Sequence, residues 1–349
     1  MSDMSDRPFW AARVETALDR GAERMLRRWG WHDCVIGFTG YGSTSRLRVL
    51  ARIILTSPSQ TVPGSFRSEA WNRRRGWRNL WATPCVERAA RLRVGDVTVE
   101  VTADRGGYID ARVDCRLSPG WHHVAIDTAS GQTHLAPVLI LADDTTSGLI
   151  SDVDDTILQS LIPRPLLAAR NAFLTPESDR RAVPGMARLY RQILSRRPDS
   201  PTFYLSTGSW STFPFLTRFT DHHGFPGGPM LLSDWGPTNT GWFPVGRAHK
   251  IKALSSLAHD FPRVRWILVG DDGQHDPAIY AGFAQRFPDQ VEAIAIRQLN
   301  PVQSVLAHGL PGELLGDARR PAAGAVPWAR GSDGDQLWAQ LEPRLRPAD

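Results

Sequence analysis

Two rhythms of apolar and polar residues divide the chain. From about Val35 to Leu141 they alternate at period two, as along Arg46-Leu47-Arg48-Val49-Leu50-Ala51-Arg52-Ile53-Ile54-Leu55. Residues 91–94, 97–101, 108–113, 123–126 and 138–141 repeat the pattern, punctuated by Pro58, Gly95-Asp96, Gly106-Gly107 and Pro119-Gly120. Successive side chains of a strand face opposite ways, so short alternating runs at regular spacing predict a β-sandwich. Beyond Gly148 the rhythm changes. Mainly apolar runs at 149–150, 202–205, 230–232, 266–269 and 291–296 are separated by helical stretches at 185–196, 213–222, 248–259 and 276–287. Strands apolar on both faces, each followed by a helix, predict an α/β domain with a doubly wound parallel, Rossmann-like sheet.

Ahead of both lies a third pattern. Trp10, Val14, Ala17, Leu18, Gly21, Met25 and Trp29 recur at spacings of three and four, with arginines between them, which predicts an N-terminal amphipathic helix over 8–29. Such a helix packs on its own domain or lies on anionic lipid. The same choice applies to 66–81, where Phe66, Trp71, Trp77 and Trp81 interleave with Arg67, Arg73, Arg74, Arg75 and Arg78. The Gly-, Ala- and Ser-rich sequence after Pro321 reads as a mobile tail. The expected organisation is a helix in 1–34, a β-sandwich-like domain in 35–142, a linker in 143–147, a catalytic domain in 148–320 and a tail in 321–349.

Composition narrows this picture only a little. The 349 residues are 42% hydrophobic and 22% charged, as expected for a globular protein with a sizeable core, and carry a net charge of +5. So mild an excess does not identify a nucleic-acid binder, and none is expected. The odd, scattered cysteines Cys34, Cys85 and Cys115 support neither a disulfide framework nor a metal knuckle. With no apolar signal core and no membrane-length apolar run, a cytoplasmic protein is expected, with peripheral contact at the inner membrane face as its membrane option. Lys250 and Lys252 are the only lysines among 41 basic residues, so a lysine at a strategic position carries weight.

The candidate chemistry lies at strand ends, where ligands bind in doubly wound sheets. Asp152 and Asp154 close the first apolar run and leave it on the same face. Ser206-Thr207-Gly208-Ser209 closes the second and Gly270-Asp271-Asp272-Gly273-Gln274-His275-Asp276 the fourth, with Lys250 near the start of an intervening helix. A near-copy, Asp143-Asp144-Thr145, has Leu141 in place of the first acid and reads as linker. Phosphate-ester cleavage requires a nucleophile, an acid for the leaving oxygen, a metal and positive groups around the phosphoryl. Asp152 suits the nucleophile and Asp154 the general acid/base. Mg²⁺, a hard cation, would bind Asp152, Asp154 and Asp271, with Asp272 and Asp276 as further candidates. Lys250, Ser206, Thr156 and Thr207 are the candidate phosphate binders.

The segments 151–157, 204–210, 223–229 and 270–277 resemble the catalytic domain of actin-patch-type phosphatidate phosphatases, within the haloacid-dehalogenase superfamily. Thr207 and Asp272 stand where relatives more often carry asparagine and serine. The resemblance implies a haloacid-dehalogenase type of sheet, Mg²⁺ as cofactor, and hydrolysis of phosphatidate to diacylglycerol and phosphate through an aspartyl-phosphate intermediate. Residues 157–201 and 210–248 are too short for a separate cap domain, so an open site is expected, with Trp210, Trp235, Trp242 and Phe243 as candidates for an apolar rim. The alternatives are a phosphomonoesterase acting on a soluble or polymeric ester, and a membrane-binding adaptor without enzymatic activity.

Overall fold

The computed structural model describes residues 20–58, 83–159, 180–233, 246–273, 275–299 and 326–345. The chain divides into two compact units, the first comprising residues 1–143 with 209–211 and 234–245, the second the remainder. The expected linker at 143–147 thus begins at the boundary, but it ends inside the sheet of the second unit, whose first strand opens at Ser147.

The first unit is built on one seven-stranded sheet in place of the expected two-sheet sandwich. Its strands are β1 (His32–Gly42), β2 (Arg46–Thr56), β3 (Ala89–Val94), β4 (Val97–Thr102), β5 (Tyr108–Asp114), β6 (Gly120–Thr128) and β7 (Thr133–Ile140), in the order β4-β3-β6-β7-β1-β2-β5. Inward residues from all but one of these strands, among them Val35, Val49, Leu92, Ile109, Val124 and Val138, form a single buried cluster. Val97, Val99 and Val101 of the edge strand β4 pack against it as well. A flat sheet cannot bring one face of both its edges to one core. The sheet is therefore curled into a nearly closed, barrel-like form, and alternation in the sequence reports only which face each residue takes.

Within this unit residues 20–28 are helical, and the rest of the helix expected over 8–29 lies outside the described residues. Leu26 packs against the barrel core, whereas Met25 and Trp29, on the predicted apolar stripe, are 49% and 66% exposed. The Arg/Trp segment 66–81 also lies outside the described residues. The near-copy of the acidic motif has a structural task here: the Asp143 carboxylate accepts a hydrogen bond from Thr44 Oγ1 at 2.8 Å.

The second unit has a six-stranded sheet ordered β10-β9-β8-β11-β12-β13. Its strands are β8 (Ser147–Asp152), β9 (Thr202–Ser209), β10 (Met230–Ser233), β11 (Arg265–Asp271), β12 (Val291–Arg297) and β13 (Trp328–Gly331). β8 runs parallel to β9 and β11, β11 to β12, and β12 to β13. Helices α1 (Met186–Ser195), α2 (Phe213–His222), α3 (Gly246–Asp260), α4 (Asp276–Arg286) and α5 (Gly334–Leu341) follow in turn. The connections run from β8 to one side through β9 and β10, then back to the other through β11, β12 and β13. The order therefore reverses between β8 and β11, the position at which doubly wound sheets open a crevice at their carboxyl edge.

The carboxy-terminal segment corrects the expectation of a mobile tail over 321–349. Residues 326–345 contain β13, paired with β12, and α5. The polar, glycine-rich run at 331–334 is a helix start: the Asp333 side chain accepts from the Asp335 and Gln336 amides, both at 3.0 Å. An aspartate N-cap satisfies amides that the helix itself cannot.

Candidate functional site

β8 delivers Asp152 to the carboxyl edge of the sheet, beside the end of β11. The chain then turns sharply, with Asp155 at φ 59°, an unusual conformation for a residue other than glycine. The turn is closed by Ile157 and Leu158 amides donating to the Val153 carbonyl at 3.0 and 3.2 Å. Asp152, Asp154 and Thr156 are all buried. Thr156 Oγ1 donates to Asp152 Oδ2 at 3.1 Å, and Ser206 Oγ, at the end of β9, donates to Asp154 Oδ2 at 3.1 Å. The Gly208 amide in turn donates to Ser206 Oγ at 2.9 Å. Each acid of the pair thus has its own hydroxyl partner.

Asp271 at the end of β11 and Asp276 at the start of α4 join Asp152 in a buried triad whose ligand atoms lie within 4.8 Å of one another. Lys250, projected from α3 and buried, bridges two of them, with Nζ 2.7 Å from Asp152 Oδ1 and 2.5 Å from Asp276 Oδ1. The Gly273 amide donates to Asp271 Oδ1 at 2.6 Å. Gly270 makes room for this cluster, since a Cβ there would lie 2.6 Å from Asp276 Oδ2 and 2.8 Å from the Tyr280 ring.

The electrostatics follow from that crowding. Burial drives the Asp152 carboxyl up to about 8; Lys250 opposes the rise, while Asp276 and Asp154 add to it. Burial, reinforced by Asp276 and Asp152, raises Asp271 well above the carboxylate range. Burial works against the Lys250 charge, but Asp152, Asp276 and Asp271 outweigh it and raise its pKa. One ammonium cannot balance three ionised carboxylates, so without a further positive charge the cluster retains protons. Asp271 Oδ2 and Asp276 Oδ2 are buried with no hydrogen-bond partner among the described residues. A divalent cation fits this donor set: it supplies the missing charge, and its preference is for carboxylate oxygens.

The sequence expectations meet this geometry unevenly. Asp152, Asp271 and Asp276 come together, and Lys250 joins them. The Asp154 carboxylate, expected among the metal ligands, is outside the triad, because the turn after Asp152 directs it to Ser206. Asp272 is exposed, and its Oδ1 accepts from the Leu299 amide at 2.8 Å; alternation along the strand end sends it away from Asp271. Thr207 packs at the foot of α3, where a Cβ on Gly246 would lie 2.7 Å from its methyl group, and its carbonyl accepts from Ser233 Oγ at 2.6 Å. Trp210, expected at an apolar rim, is buried and stacks on Phe38 with ring centroids 4.4 Å apart. Trp235, Trp242, Phe243 and Gln274 lie outside the described residues.

Sequence reasoning missed three buried residues at the site. Tyr190 on α1 places its hydroxyl 2.5 Å from Ser151 Oγ, and Tyr280 on α4 donates to the Val269 carbonyl at 3.1 Å. Arg297, the last residue of β12, donates to the Asp155 carbonyl at 2.5 Å. The available signal was position: Arg297 ends a parallel strand beside Asp271, as the recognised acids end theirs.

The family model of the phosphatidate phosphatase APP1 catalytic domain matches residues 147–298. The carboxy-terminal unit is thus similar to a phosphatase domain. Phosphatidate phosphatase APP1 of Saccharomyces cerevisiae is 33% identical over 152 residues, covering 43% of this chain and 25% of that protein. An uncharacterised protein of Schizosaccharomyces pombe is 23% identical over 170 residues, covering 48% of this chain and 27% of its own length. The matched region thus spans about a quarter of the length of these curated relatives. Among solved structures, a carbohydrate acetylesterase from Xanthomonas citri aligns with 84% of this chain and 66% of its own at 11% identity and a TM-score of 0.29, which carries no argument about fold or function.

Proposed function

We propose that this protein is a Mg²⁺-dependent phosphatase of the haloacid-dehalogenase kind that hydrolyses phosphatidate to diacylglycerol and phosphate. The observation that carries this reading is the unequal environment of two neighbouring acids. Asp152 belongs to the triad and touches Lys250, whereas Asp154 stands outside it, held by Ser206. One is equipped as a charged nucleophile beside a cation, the other as a proton carrier. The likeness of residues 147–298 to the APP1 catalytic domain supports the substrate class.

The roles follow from these positions. An Asp152 carboxylate oxygen attacks phosphorus as the bond to the alkyl oxygen breaks, leaving an aspartyl-phosphate. Asp154 gives its proton to the departing oxygen and then takes one from the water that attacks the phosphoryl-enzyme, which releases phosphate and restores Asp152. Lys250 favours the ionised form of Asp152 against the cost of burial and lies where it can meet a phosphoryl oxygen. Ser206 fixes the Asp154 carboxylate, and Thr156 that of Asp152. Asp152, Asp271 and Asp276 would hold Mg²⁺, which when bound neutralises charge on the transferring phosphoryl group.

The test is phosphate release, with Mg²⁺, from dispersed phosphatidate and from a panel of soluble phosphomonoesters. Wild-type protein is expected to favour phosphatidate, and Asp152→Asn to lose about 10³-fold or more in rate. Equal efficiency on both substrate classes would overturn the lipid assignment in favour of a general phosphomonoesterase. Binding to anionic vesicles without phosphate release from any ester would favour the adaptor.

A further inference from the structure

Arg297 is one of two buried arginines among the described residues of the second unit, and its donors meet main-chain carbonyls on both sides of the carboxyl edge. It donates to Asp155 O at 2.5 Å and, through Nε, to Ser332 O at 3.2 Å. Asp155 is the residue at φ 59°, immediately after Asp154, so its carbonyl orientation is coupled to the direction in which Asp154 leaves the strand. Ser332 follows β13, which pairs Gly331 with Arg297 itself. The same carboxy-terminal segment reaches the turn by a second route. The Gly334 amide donates to Pro184 O at 3.0 Å, the neighbouring Val183 amide donates to Ile157 O at 3.0 Å, and the Gln159 amide donates to Arg181 O at 3.0 Å. Residues 153–159 are thus gripped from two sides by elements that depend on residues 326–345, beyond the 147–298 stretch shared with the phosphatidate phosphatase catalytic domain.

We propose that Arg297 and the β13–α5 segment form a clamp that sets the aim of Asp154: the guanidinium ties the carbonyl of Asp155 to the end of β13, and α5 braces the 181–185 strap against the same turn. Arg297 is a positioning residue, acting through the main chain and not on substrate. A guanidinium suits the task because its rigid planar fork reaches two carbonyls at fixed angles, which a single ammonium does not. Proton transfer to a leaving oxygen tolerates little error in the donor, so release of the clamp lowers turnover more than substrate binding.

The experiment uses the full chain and two readouts, only one of which rests on the phosphatase reading. Hydrogen exchange is measured in wild type, Arg297→Met, Arg297→Lys and Gly334→Ala, with Arg197→Met as a control that breaks the buried pair to Glu292 in the same unit. In Gly334→Ala the added Cβ would lie 2.2 Å from the Gly185 carbonyl group, so α5 is displaced without touching Arg297. Arg297→Met and Gly334→Ala are expected to accelerate exchange at the amides of 153–159 about tenfold or more while β9 keeps its protection, with Arg297→Lys intermediate. Phosphate release is expected to show kcat reduced about 10- to 100-fold in Arg297→Met with KM little changed, and partial recovery on adding guanidinium ion to Arg297→Ala. Arg197→Met is expected to lower Tm without moving either readout. Unchanged exchange at 153–159, or equal acceleration throughout the sheet, overturns the clamp. Where the wild type releases no phosphate from any ester, the phosphatase reading fails and the exchange data still decide for or against the clamp.

Discussion

Each unit buries an acidic group, and the two are compensated in opposite ways. In the first, Asp33 is buried at the start of β1, ion-paired to Arg27 and Arg88, with the Cys85 thiol donating to it at 3.4 Å. Glu23 shares Arg27 at 2.8 Å, so two arginines face two carboxylates. Burial pushes the Asp33 carboxyl up, but the Arg27 hydrogen bond and the charges of Arg88 and Arg27 outweigh it and hold it below the ordinary range. In the second unit, Asp152, Asp271 and Asp276 share Lys250, and burial with mutual repulsion drives Asp152 up to about 8. A cluster whose charges close holds structure together. One that leaves charge over is held in readiness for a cation.

That contrast can be broken at several points. The largest effect is expected for Lys250→Met, which removes the ammonium between Asp152 and Asp276 and should cost about 3–5 kcal/mol in chelator, with much of it restored by excess Mg²⁺. Urea unfolding with and without Mg²⁺ measures both numbers, and a loss that Mg²⁺ fails to reduce would argue against a cation in the triad. Asp33→Asn comes next, at about 2–3 kcal/mol from leaving two arginines short of a partner, with no sensitivity to Mg²⁺ and kcat unchanged in the folded protein. A further effect concerns pH. A carboxyl whose folded pKa is raised keeps its proton where the unfolded chain has lost it, so stability in chelator declines as pH rises from the ordinary carboxylate range towards about 8. Thermal unfolding from pH 5.5 to 8.5 should therefore show a gap between Mg²⁺ and chelator that widens with pH and narrows in Asp152→Asn. Asp33 carries the opposite sign: its contribution is lost on acidification, with or without metal.

The sequence revealed the edge of the second sheet better than it revealed the first sheet. Acids and hydroxyls at the ends of apolar runs were readable because a parallel strand delivers its last residue to one edge, whatever the helices between do. Asp152, Ser206 and Asp271 all belong to that category. Distinguishing Asp276 from Asp272 required knowing where the strand stops and α4 starts, which the run of polar residues hides. β1 lies largely within the stretch read as period two but supplied no distinct run there, because all but its first residue is buried and its two faces look alike. Curling into a barrel-like sheet is a property of pairing between distant strands, invisible to a local pattern. β13 was missed for its length: four residues after a stretch rich in glycine and alanine carry almost no periodic signal.

The order of strands also constrains when the site can exist during synthesis. β8 lies in the middle of its sheet, yet its neighbour β11 pairs with it more than a hundred residues downstream, and β13 closes the edge later still. While the ribosome is still making α3, the aspartate that would attack phosphorus has neither Asp271 nor Asp276 beside it. Closure of so long a loop is slow relative to local helix formation. A nascent chain therefore carries a partly exposed apolar strand ending in acids, dependent on the last strands for both its shelter and its chemistry.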